Sequence, residues 1–93
     1  MNLKLTDKTA LVSGSTKGIG LAIATGLARE GARVIINGRT KEAVFKAKGQ
    51  ISQSVPNAKL EGFAGDLATE SGTKLLLQQF PNVDILVNNL GIF

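Results

Sequence analysis

The residues best able to do chemistry in this sequence form one block, Ser13-Gly14-Ser15-Thr16-Lys17-Gly18-Ile19-Gly20. It follows the apolar run Thr9-Ala10-Leu11-Val12 and leads directly into Leu21-Ala22-Ile23-Ala24, a succession of strand, glycine-rich turn and helix. Glycine has no Cβ and tolerates positive φ, so a turn built from it lets another group approach the backbone. The first turn of the following helix offers unpaired N–H groups and the positive end of the helix dipole, a ready site for a phosphate. The chemistry on offer is anion holding, and the ligand expected is the pyrophosphate of a dinucleotide. The block is not a P-loop, because no Gly-Lys-Ser/Thr follows at the required spacing.

Acid–base and nucleophilic chemistry have little to draw on. The sequence contains no His, Cys, Tyr or Trp. Without Cys there is no disulfide framework and no thiolate, and without His the commonest general base and metal ligand is missing. The carboxylates and lysines are scattered, so neither catalytic residues nor a metal site are expected. The net charge of +4 raises the question of nucleic acid. The eleven cations are spread along the chain, however, and no aromatic residue interleaves with the local concentration between Arg39 and Lys48 as a stacking platform. A solvated helix face is the better reading there, and no nucleic-acid partner is expected. No apolar run approaches the about 18 residues of a membrane span. Met1-Asn2-Leu3-Lys4-Leu5 is too short and too charged for a signal peptide, so a cytoplasmic protein is expected.

The elements that must position the block alternate along the chain. Thr9 to Val12 reads as a strand, and Gly18 to Glu30 as a helix whose apolar stripe is Ile19, Ile23 and Leu27, ended by Gly31. Val34-Ile35-Ile36 is a β-branched strand bounded by glycines. Thr40 is positioned to cap a second helix, with Val44, Ala47, Ile51 and Val55 on one face and Pro56-Asn57 beyond it. Residues 59 to 64 read as a third strand. Thr69 is positioned to cap a third helix bearing Leu75, Leu76, Leu77 and Phe80, in which Gly72 lowers local propensity. Ile85-Leu86-Val87 is a fourth strand. Strands joined by connections of helix length imply a parallel sheet with right-handed crossovers, and the continuous apolar strands agree, since parallel strands are covered on both faces. Residues 1–93 form one α/β domain on this reading.

Three motifs in order now carry a resemblance. The turn at Ser13–Gly20 resembles the TGxxxGIG turn of the short-chain dehydrogenases/reductases, Asp66-Leu67 follows the third strand as in that family, and Asn88-Asn89-Leu90-Gly91 is similar to its NNAG. The resemblance implies a Rossmann-like doubly wound sheet of order 3-2-1-4. It implies that Gly14, Ser15, Thr16, Lys17, Gly18, Ile19 and Gly20 wrap the pyrophosphate and adenine ribose, with Ile19 toward the nicotinamide. It implies that Asp66 accepts from the adenine amino group beside the Leu67 backbone, that Asn89 and Gly91 line the ribose, and that Asn88 braces the strand. As residues alone, Asp66 also reads as a loop carboxylate near a helix N-terminus, and the asparagines as a strand-ending turn. Two positions depart from the pattern. Ser13 replaces Thr and keeps the hydroxyl, while Leu90 replaces a small Ala, where its bulk either shifts the ribose or packs against a neighbouring strand.

Charge selects the cofactor. A carboxylate after the second strand accepts from the ribose 2′-OH of NAD and repels the 2′-phosphate of NADP. Here that end reads Asn37-Gly38-Arg39. Arg39 can pair with a phosphate through two parallel bonds, and Lys17 supplies a second cation; the other reading of both is surface charge. NADP is the expected cofactor, with NAD second. The Tyr, Lys, Ser and Asn that the resemblance would assign to proton transfer have no counterpart in these residues. The expectation is therefore the N-terminal, cofactor-binding part of an oxidoreductase that moves a hydride between NADP(H) and a carbonyl or alcohol, inactive by itself and truncated after strand four. Its fourth strand would be an exposed apolar edge that invites pairing with another chain, and a homo-oligomer is expected. The alternative is a non-catalytic nucleotide-binding or regulatory module.

Overall fold

The computed structural model describes residues 4–90. Four strands and three helices alternate: β1 (Thr9–Val12), α1 (Gly18–Arg29), β2 (Arg33–Gly38), α2 (Lys41–Ser54), β3 (Lys59–Ala64), α3 (Glu70–Gln79) and β4 (Ile85–Val87). All neighbouring strands are parallel, in the order β3-β2-β1-β4. The parallel sheet expected from the alternation, and the 3-2-1-4 Rossmann-like order implied by the resemblance, are those observed.

Parallel strands buried on both faces put alternate residues into different cores. Val12, Val34 and Ile36 point to one side, where Ala24 and Ala28 of α1 and Val44, Ala47 and Ile51 of α2 meet them. Leu11, Ile35 and Phe63 point to the other side, where Leu67 and Leu76 cover them. The second core is the thinner one. Leu75 and Leu77 on α3 and Leu86 on β4 remain exposed, so β4 does present the apolar edge foreseen for it.

Two local expectations need correcting. The stripe Ile19, Ile23, Leu27 is not the buried face of α1. The buried residues are Gly20, Ala24 and Ala28, while Ile19 is 75% exposed. A helix lying close on a sheet needs small residues at the contact line, and bulkier Ile23 and Leu27 flank it, packing at the margin of the core. Strand β2 is also longer than its β-branched run. It is paired with β3 through Asn37↔Phe63 and Gly38↔Ala64, which carries the polar Asn37 into the sheet.

Candidate functional site

All four strands point their carboxyl ends at one cleft of about 920 Å³, within the usual size of a small-molecule site. Its floor is the β1–α1 turn. Gly14 and Gly18 sit at φ 58° and 62°, a region that L side chains with a Cβ avoid. A Cβ on Gly20 would run into the Gly14 carbonyl oxygen, so only glycine lets α1 begin this close to the turn.

The N-terminus of α1 differs from those of the other helices. Thr40 Oγ1 accepts from the Ala43 N–H of α2 at 3.1 Å, and Thr69 Oγ1 accepts from the Gly72 N–H of α3 at 3.0 Å. Each of those helices has an acid in its first turn, Glu42 and Glu70. At α1 the N-cap is Lys17, which makes no side-chain cap bond, and the first turn holds no acid. No side chain among the described residues caps the positive end of α1.

Around this floor the structure places the expected residues on different layers. Gly14, Thr16, Lys17, Gly18 and Ile19 form the wall on the turn side. Arg39 stands at the β2 end, Asp66 and Leu67 at the β3 end, and Asn89 with Leu90 at the β4 end. Among the described residues neither Lys17 nor Arg39 is in an ion pair, whereas Arg33 pairs with Glu61 at 2.9 Å. Asp66 Oδ1 accepts from the Ala68 N–H at 2.9 Å, a local turn bond that fixes the carboxylate at the rim. Ser15 and Gly20 lie behind the wall and are buried. Asn88 is half-buried and off the wall, and Gly91 lies outside the described residues.

The β4 end is tied to the turn. Asn89 Nδ2 donates to the Gly14 carbonyl oxygen at 3.0 Å. Ser13 Oγ accepts from the Leu90 N–H at 3.2 Å and donates to the Val87 carbonyl oxygen at 3.4 Å, so the hydroxyl retained at Ser13 does link the turn to β4. Leu90 answers the question its bulk raised. Its Cδ2 lies 2.7 Å from where a Cβ of Gly14 would be, so the side chain rests on the turn within the cleft.

Gly38, Thr40, Ala43, Gly65, Ala68 and Leu90 also line the cleft without being among the site residues expected from the sequence, and the role of Asn37 escaped sequence reasoning altogether. Asn37 is 2% exposed. Its Oδ1 accepts from the Gly14 N–H at 2.9 Å, and its Nδ2 donates to the carbonyl oxygens of Phe63 and Gly65, both at 3.1 Å. Its backbone N–H donates to Ser15 Oγ at 2.9 Å, and its carbonyl oxygen accepts from the Ser15 N–H at 2.8 Å. The available signal was a lone amide ending an apolar strand two residues before Arg39.

A family model of the short chain dehydrogenases matches residues 8–93. The chain belongs to that family. An oxidoreductase of Bacillus subtilis (strain 168), YvaG, is 56% identical over 93 residues, spanning 100% of this chain and 35% of its own length. Two solved structures are also similar. The 2-keto-3-deoxy-D-gluconate dehydrogenase of Streptococcus agalactiae superposes with a TM-score of 0.85 at 34% identity, covering 99% of this chain and 35% of that one. The L-sorbose reductase of Gluconobacter frateurii, complexed with NADPH and L-sorbose, gives 0.82 at 34% identity, covering 98% and 36%. The chain thus spans about a third of the length of the relatives it matches.

Proposed function

We propose that this chain forms the NADP-binding site of an oxidoreductase that transfers a hydride between NADP(H) and a carbonyl or alcohol. The observation that carries the reading is the uncapped, acid-free N-terminus of α1 opening into the same cleft as two unpaired cations, Lys17 and Arg39. The fit to a dinucleotide rests on the donor set and on the shape. The first-turn N–H groups of α1 would hold the pyrophosphate, the Gly14–Gly20 contact keeps side chains out of its way, and Arg39 with Lys17 would take the 2′-phosphate. Asp66 at the far rim would accept from the adenine amino group, and Asn89 would border the ribose. An acid on the last residue of β2 would favour NAD instead; that residue is Gly38, where a Cβ would run into the Thr16 methyl. The L-sorbose reductase complexed with NADPH supports the same cofactor.

The cofactor, when bound, supplies the hydride. The residues of this chain would bind and orient it. The cofactor choice is tested by titrating the full-length Arg39→Ala variant with NADP+ and NAD+. A hydrogen bond to a charged group is worth about 1.5–3 kcal/mol, so the variant should lose roughly ten- to hundredfold of its preference for NADP+. An unchanged preference would reject Arg39 as the 2′-phosphate ligand.

A further inference from the structure

The Asn37 side chain connects two loops that line opposite sides of the cleft. Gly14 belongs to the β1–α1 turn, and Phe63 and Gly65 belong to the end of β3 and the start of the β3–α3 loop. The residues joined are 23, 26 and 28 positions apart in sequence. No other hydrogen bond among those described runs from the turn to β3 or to the loop leading to Asp66. The amide is also matched to its partners by type. One acceptor faces one N–H, and two N–H bonds face two carbonyl oxygens, so the primary-amide end of Asn or Gln is required and only Asn has this reach. A buried side chain that left these groups unpaired would incur their desolvation cost.

We propose that Asn37 is the positioning residue of the cleft. It sets the separation between the phosphate-holding turn and the loop that carries Asp66, so that both ends of a dinucleotide are received by a mouth already in shape. The ligand part of this proposal rests on the cofactor reading above; the joint itself does not. Two bonds with Ser15 hold Asn37 in place, the Asn37 N–H to Ser15 Oγ and the Ser15 N–H to the Asn37 carbonyl oxygen, and the buried Ser15 hydroxyl finds its role there rather than in the cleft.

Two substitutions separate the joint from simple loss of packing. In Asn37→Asp the geometry is kept, but the ionised carboxylate can only accept. It retains the Gly14 N–H and faces the two carbonyl oxygens with no proton to give. Burial and those oxygens raise the pKa of such a carboxyl above its ordinary value of about 3.9. As the pH falls it protonates and regains one donated bond. In Asn37→Ser the side chain is neutral and too short for any of the three bonds.

The experiment measures NADP+ affinity by calorimetry and amide exchange by NMR on the full-length protein. The Asp variant should bind about tenfold more weakly than wild type near pH 8 and recover most of that loss near pH 5, as expected when a buried donor is lost and regained. The Ser variant should be weaker by a similar factor at both values. Without ligand, exchange should quicken at Gly65 and Ala68 in both variants but at Gly14 only in the Ser variant, because the Asp still accepts from Gly14.

Wild-type affinity in both variants would overturn the positioning role, even with altered exchange. Unchanged exchange at Gly65 and Ala68 would overturn the joint. If wild type itself binds no NADP+, the cofactor reading fails, and the exchange pattern alone decides whether Asn37 holds the loops together.

Discussion

The three helices of this domain begin in two different ways. Helices α2 and α3 are closed at their N-termini by Thr40 and Thr69 and carry Glu42 and Glu70 in their first turns. Their dipoles are answered from within the chain. Helix α1 is entered through Lys17 with an extended backbone (φ −159°, ψ 168°), the usual conformation of an N-cap residue, yet its side chain caps nothing. All three starts lie at the carboxyl ends of the strands. Two helix ends are closed from within the chain and one is left uncapped, which on the proposed reading keeps it open for a ligand. A single fold can do both because a capping residue contributes only about 1 kcal/mol, a small loss beside what burial of the two cores supplies.

The comparison breaks most completely if the approach of α1 to its turn is blocked. Gly20→Val places a branched side chain against the Gly14 carbonyl and the Asn89 amide. Overpacking of this kind costs about 1–3 kcal/mol, and the backbone shift moves the first-turn N–H groups away from the cleft. NADP+ binding should fall by roughly a hundredfold or more, about 2.7 kcal/mol, and the melting temperature should fall with it. Calorimetric affinity within threefold of wild type would show that the close contact does not shape the site.

A subtler change converts α1 into a helix of the other kind. Lys17→Asp supplies an acidic cap at a position whose backbone already suits one. Stability should rise by about 0.5–1 kcal/mol while NADP+ affinity drops about tenfold or more, since the new carboxylate repels the phosphates and a cation is lost. The opposite signs are the point of the experiment. If denaturant midpoint and affinity move in the same direction, the open end of α1 is not reserved for an anion.

Much of this division of labour was legible in the residues. The capping threonines are read correctly because a cap is local: Thr40 and Ala43, or Thr69 and Gly72, are three positions apart. The strands follow from apolar runs bounded by turns and their parallel pairing from alternation, while the sheet order follows from the family resemblance. What was misread depends on distance or on tight packing. The large residues of α1 suggest a stripe through Ile19, but the helix lies so close to the sheet that Gly20, Ala24 and Ala28 make the contact. Gly72 looks like a weak point of α3; in the structure a Cβ there would meet the Asp66 carbonyl, so the glycine permits the tight entry that lets Asp66 and the helix start lie together. Asn37 is invisible to any periodicity, because its three side-chain partners come from segments more than twenty residues away.

The smallest effect belongs to the closed end. Thr69 Oγ1 accepts from the Gly72 N–H and donates to the Asp66 carbonyl oxygen at 2.8 Å. Thr69→Ala removes both bonds and should lower stability by about 1 kcal/mol in a denaturant titration. Its effect on NADP+ binding should stay within about threefold, less than a single hydrogen bond to a charged group. The Asp66 carboxylate has its own tether to the Ala68 N–H, and the Asn37 amide holds the Gly65 carbonyl independently of the cap. Thr69→Ser, which keeps the hydroxyl, should restore most of the stability. A loss of affinity as large as that of Lys17→Asp would mean that the α3 cap also holds the cleft in shape, and the two kinds of helix start would then share one task.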